Sequence, residues 1–166
     1  LKTYHSISDD ATVVGLSFGG MLTTELAKSF PNMRGILISS AKGRHEFPPS
    51  LRLLHRIRFH QWMPPKLHKI LMNHASRYLG IFDREKVATY KDMNQRADAK
   101  MNQWSGGAIL DWQNETVPKN IVHIHGTNDN VLPIQYIRSD YQIENGGHLM
   151  VMERADEISD ILRKLL

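Results

Sequence analysis

A serine set between glycines, in Val13-Val14-Gly15-Leu16-Ser17-Phe18-Gly19-Gly20, is the first residue of this chain whose neighbours suit it to chemistry. Two β-branched residues lead into it and a helical pattern leaves it, so the serine falls at a sharp strand-to-helix turn. Such a turn forces its backbone into a strained conformation that small neighbours tolerate, which accounts for Gly15 and Gly19. Its hydroxyl would stand clear of the sheet, and the Phe18 N–H, at the start of the next helix, would face an oxyanion forming beside it. The same stretch also reads as a glycine-rich turn carrying a solvated serine.

A neutral serine hydroxyl is a poor nucleophile at pH 7; it needs a base, and the base needs an orienting group. Two residues stand where open α/β sheets hold their sites, each just past the C-terminal end of an expected strand. Asp129 lies in His125-Gly126-Thr127-Asn128-Asp129-Asn130-Val131-Leu132-Pro133, and His148 follows Gly146-Gly147. The chain order is serine, aspartate, histidine.

The elements that must position these groups alternate. Thr12 to Val14 reads as a short buried strand, and Met21 to Phe30 as a helix with Leu22, Leu26 and Phe30 on its inner face. Gly35 to Ile38 is too continuously apolar for a half-exposed strand and suits a parallel strand covered on both faces. Strand, helix and strand in so short a span make a right-handed βαβ unit. From Ser39 to about Ile109 the pattern turns helical. One helix opens at Pro65 and faces inward with Leu67, Ile70, Leu71 and Tyr78. Asp83 caps a second, with Val87 and Met93 inward, and a third buries Met101, Trp104, Ala108 and Trp112. Strands resume at Ile121 to His125 and Tyr141 to Ile143. A last helix carries Ile158, Ile161, Leu162 and Leu165 on one face, with Asp156 and Glu157 early and Arg163 and Lys164 late, as the helix dipole favours.

Composition bounds the answer. The 166 residues, 41% of them hydrophobic, suit one soluble domain, and no run of about 18 apolar residues offers a membrane span. With no cysteine there are no disulfides and no thiolate chemistry, and a cytoplasmic location is the expectation. The net charge is +4, but it is uneven: Lys42, Arg44, Arg52, Arg56, Arg58, Lys66, Lys69 and Arg77 face the single acid Glu46 in that segment. A solvated face is the ordinary outcome; attraction to an anionic lipid or substrate is another. No nucleic-acid motif is present, so no specific nucleic-acid partner is expected. Histidines 55, 60, 68 and 74 lack the spacing and carboxylate that zinc sites favour, so neither metal nor cofactor is expected. His123 reads as a packed strand histidine, and His125 as shaping the turn that carries Asp129.

Taken together, G-L-S-F-G-G, H-G-T-N-D-N-V-L-P and G-G-H-L-M-V resemble the α/β-hydrolase fold family. The resemblance implies a mostly parallel sheet with flanking helices, spanning residues 1–166 as one partial catalytic domain, with a helical cap inserted at 42–114. It implies a serine hydrolase that cleaves a carboxylic ester or related small acyl substrate, with Ser17 as nucleophile, His148 as base and then acid, Asp129 holding the imidazole, and Phe18 donating to the oxyanion. Leu16, where a histidine often stands in the family, is expected to line the substrate pocket with Trp104 and Leu149. The 19-residue spacing from Asp129 to His148 is short, so the helix around Ile134 to Ile137 must be little more than a turn. Acyl transfer on the same three residues, or a noncatalytic binding protein on the same fold, are the alternatives. The family places several strands and an oxyanion loop before its serine, and residues 1–12 supply neither. A further expectation is therefore that this is the later part of a longer protein, or that the open sheet edge drives self-association. A stable, monodisperse monomer of 19.1 kDa would refute it.

Overall fold

The computed structural model describes residues 8–166. Four strands, β1 (Thr12–Leu16), β2 (Arg34–Ile38), β3 (Ile121–Gly126) and β4 (Tyr141–Ile143), form one sheet in the order β1-β2-β3-β4, with every neighbouring pair parallel. β2 is central, and its apolar run is covered on both sides: Ile36, Leu37 and Ile38 are buried.

The period of two along a strand sorts the two faces. Gly15 is in register with Leu37, and Val13 with Gly35; on this face lies α1 (Phe18–Ser29). A Cβ at Gly15 would come within 2.3 Å of the Gly19 carbonyl oxygen, so glycine is what lets this helix lie so close. Such closeness shifts the helix's burial onto small residues, Gly20, Thr23, Thr24 and Ala27 with Met21. Leu22, expected inside, is 41% exposed. On the opposite face, Ile36, Ile38, Ile124 and Ile143 meet Met150 of α7 (Met150–Glu153) and Ile158 and Leu165 of α8 (Ala155–Leu165). The face expected of this last helix is the one that packs.

Between β2 and β3 the chain is helical: α2 (Pro49–Arg56), α3 (Phe59–Trp62), α4 (Pro65–His74), α5 (Arg84–Arg96) and α6 (Ala99–Asp111). Pro65 stands in the first turn of α4, and Asp83 caps α5 by accepting from the Glu85 and Lys86 amides at 3.0 Å each. The inner faces differ from the expected ones. Leu67, Ile70 and Leu71 are half exposed or close to it, while His68, Met72, Ala75 and the partly exposed Tyr78 of the same stretch line a cavity. Met93 is exposed, and Tyr90 and Asn94 are buried in its place. Met101 and Trp104 are exposed, and α6 buries Gly107 and Leu110. The physical reason is common to all three helices: they surround a hollow rather than a solid core, so apolar residues occur on both sides and periodicity alone does not tell the sides apart.

Candidate active site

Ser17 sits between the last residue of β1 and the first of α1, with φ 50° and ψ −116°. A positive φ is costly for a residue with a Cβ, on the order of 1–3 kcal/mol, and persists only where the surroundings enforce it. They do so here. The Ser17 amide donates to the Ile38 carbonyl at 2.9 Å, and the Ser17 carbonyl accepts from the Ser40 hydroxyl at 2.7 Å and from the Gly20 amide at 2.9 Å. A Cβ on Gly20 would lie 2.5 Å from Ser40, whereas one on Gly19 meets nothing within 4 Å. The steric demand expected of Gly19 thus falls on Gly20. Ser40, on the neighbouring strand end, was not singled out from sequence; its position just past β2, beside the Ser17 turn, was the available signal.

The turn after β3 positions Asp129, which is 3% exposed. One carboxylate oxygen, Oδ1, accepts from the Val131 amide at 2.8 Å and the Leu132 amide at 2.9 Å. The other, Oδ2, lies 2.8 Å from His148 Nδ1, and His148 Nε2 lies 2.9 Å from Ser17 Oγ. The loop bearing His148 can approach the turn bearing Asp129 because Gly126 abuts Gly146, where a Cβ would stand 2.1 Å from the Gly146 carbonyl oxygen. The connection between Asp129 and β4 holds only a 3₁₀ turn, Ile134–Tyr136. The three side chains form one hydrogen-bonded line from hydroxyl to imidazole to carboxylate, an arrangement in which a proton can leave the hydroxyl as the imidazole takes it.

Beneath this line lies a pair of buried imidazoles. His125 Nε2 is 2.8 Å from the Leu132 carbonyl oxygen and 3.5 Å from Asp129 Oδ2. Burial pushes the His125 pKa down despite the nearby carboxylate, so the ring is neutral, its Nε2–H belongs to Leu132, and the longer contact is not an ion pair. With Nδ1 then an acceptor, the ring receives a hydrogen bond from His123 Nε2 at 3.3 Å. His123 is fully buried, and burial lowers its pKa to about 3. It is the packed strand histidine expected, and His125 braces the Asp129 turn through Leu132.

Over the Ser17 hydroxyl the helical segment encloses a cavity of about 490 Å³. Its walls are mostly apolar, including Met21, Leu54, Phe59, Met63, Met72 and Leu110, and both Ser17 and His148 open onto it. Leu149 lines it. Leu16 does not: its side chain belongs to the opposite face of the sheet and packs against the Ile36 and Ile124 cluster. Trp104 is on the outer side of α6, 58% exposed, with its ring edge-on to Phe18 at 6.0 Å. The basic residues Arg44, Arg52, Arg56 and Arg58 gather on a separate open cleft with His55 and Asp111, which pair at 3.1 Å. Among the described residues no three His, Asp or Glu side chains converge as a metal site, and no helix is long and apolar enough to cross a membrane.

Comparison with known proteins follows the same lines. The chain is similar to an esterase from Thermogutta terrifontis at 16% identity, with a TM-score of 0.70, covering 99% of this chain and 67% of that one. It is also similar to an esterase from a Rhodococcus species, at 13% identity and a TM-score of 0.67 over 99% and 67% of the two chains. A bromoperoxidase from Bacillus anthracis matches at 11% identity and a TM-score of 0.67 over 97% and 68%. The chain thus spans about two thirds of the length of these structures. No curated protein matches it. The sequence profile of the alpha/beta hydrolase family matches residues 3–161, nearly the whole chain, and by that match and this fold the chain belongs to the alpha/beta hydrolase family.

Proposed function

We propose that the protein is a serine hydrolase that cleaves a carboxylic ester, or a related acyl compound, through an acyl-enzyme. The observation that carries this reading is the hydrogen-bonded line from Ser17 through His148 to Asp129, opening on an apolar cavity. Ser17 Oγ attacks the acyl carbon as its proton passes to His148 Nε2. The resulting imidazolium is stabilised by Asp129, whose carboxylate keeps the remaining proton on Nδ1. Negative charge gathers on the former carbonyl oxygen, where the Phe18 N–H, in the first turn of α1, donates to it. Collapse of the tetrahedral intermediate breaks the bond to the leaving alcohol, which departs with the proton from Nε2. Water then gives a proton to Nε2 as it attacks the acyl carbon, and collapse of the second tetrahedral intermediate breaks the bond to Ser17 Oγ, which takes the proton back from Nε2 as the carboxylic acid leaves.

In this reading the helices of residues 42–114 act as a cap that shapes the acyl or alcohol pocket and keeps bulk water from the reacting bond. The fold is shared with the two esterases, at identities of 16% and 13%. Turnover of p-nitrophenyl butyrate tests the proposal. Release of p-nitrophenol by the protein and its loss in Ser17→Ala are expected; equal turnover in the variant, or none in either, contradicts it.

A further inference from the structure

We propose that His68 is the polar anchor of the cavity, holding an uncharged oxygen function, a carbonyl or a hydroxyl, on the group that fills it. The inference rests on the orientation of α4. Apolar Leu67, Ile70 and Leu71 face solvent, Lys69 and Asn73 bond to α5 and the residues that follow it, and His68 is turned to the cavity one helical turn from Met72. A helix that puts its histidine inside and its leucines outside contradicts the ordinary pattern, and such contradictions concentrate where a ligand gives something in return.

The helix is held in this orientation. The Tyr90 hydroxyl donates to the Met72 carbonyl at 2.7 Å, and Asn94 Nδ2 donates to the Lys69 carbonyl at 3.1 Å, so α5 fixes α4 on the C-terminal side of His68. The other polar side chains of the wall are engaged: Tyr78 and Tyr90 donate their hydroxyl protons to backbone carbonyls, and Gln103 donates to the Met63 carbonyl. His68 Nδ1 differs, being buried with no hydrogen-bond partner. A buried imidazole nitrogen left unpaired is costly; Nδ1 lies beside the cavity that the His68 ring lines, and a turn of the ring brings it to a substrate oxygen, which relieves that cost. Burial also lowers the His68 pKa, so the ring is neutral at pH 7 and matches a neutral partner rather than a carboxylate.

This names the substrate class of the proposed hydrolase and rests on that reading for turnover, but the binding it predicts can be measured without chemistry. The test uses Ser17→Ala, which cannot add to a ketone, and displacement of Nile red from the cavity by 2-heptanone and by its isostere 2-methyl-1-heptene. Their affinity ratio is expected to fall by about tenfold, in disfavour of the ketone, when His68→Leu is added, and to recover in part with His68→Gln. His68→Met serves as a second apolar variant if leucine disturbs the packing, and displacement by the alkene reports that the cavity is intact. An affinity ratio that is the same with and without the imidazole overturns the proposal. A ratio that shifts as expected, in a protein whose Ser17→Ala variant still cleaves p-nitrophenyl butyrate, would leave the anchor standing and remove the serine mechanism instead.

Discussion

The Asp129 carboxylate is divided between two tasks: Oδ1 is held by the amides of Val131 and Leu132, and Oδ2 faces His148 Nδ1 at 2.8 Å. Because the backbone fixes one oxygen, the other has a fixed place, and the imidazole is oriented by the turn itself rather than by a mobile side chain.

Asp129→Asn separates these tasks. The amide oxygen can still accept from both backbone N–H groups, but the NH₂ then faces His148 Nδ1 and favours the tautomer with its proton on Nε2, which cannot take the serine proton. Esterase kcat is expected to fall by roughly 10³–10⁴ with a thermal midpoint within a few degrees of the parent. Steady-state kinetics and a thermal melt check it; a variant that retains kcat would mean that Asp129 does not act through His148.

Ser40→Ala tests the enforcement of the Ser17 turn. The hydroxyl lost is the side-chain donor to the Ser17 carbonyl, while the amide donors remain, so a destabilisation of about 1 kcal/mol is expected. Ser17 would also relax from its positive φ, lowering kcat more than it changes KM. An unfolding midpoint and kcat both equal to the parent's would show that the helix holds the turn unaided.

The motif residues were legible because their positions are set locally. Ser17 follows from a turn three residues wide, and Asp129 and His148 from the loops that end two successive parallel strands. The inner faces of α4, α5 and α6 were not legible. Leu67, Met93 and Trp104 have the spacing of core residues, yet the helices enclose a hollow and are apolar on both sides. His68 carries no such signal, because what distinguishes it is the side of the helix it occupies. Leu16 is expected in the pocket from the family resemblance, where a histidine often stands, but its side chain takes the other face of the sheet, since neighbours on a strand point to opposite faces.

The buried imidazole pair predicts a pH dependence of stability. His123 has a folded pKa of about 3, below the 6.5 of an exposed histidine, so between these values the unfolded chain binds the additional proton. The contribution of the neutral ring is complete above about pH 6.5 and declines as pH falls towards 3, with a slope of at most about 1.4 kcal/mol per pH unit from this residue. Urea midpoints measured from pH 7 to pH 4 should fall, and His123→Phe should flatten the decline. A decline equally steep in that variant would assign it to other groups.

Labelling with a fluorophosphonate probe tests the central claim most directly, because the probe reacts with a serine only where a base activates it. A single adduct on Ser17, located by mass spectrometry of the labelled peptide and slowed by at least about 10³ in His148→Ala, is the predicted result. An unlabelled Ser17, or an adduct that forms as fast without the imidazole, would contradict the account.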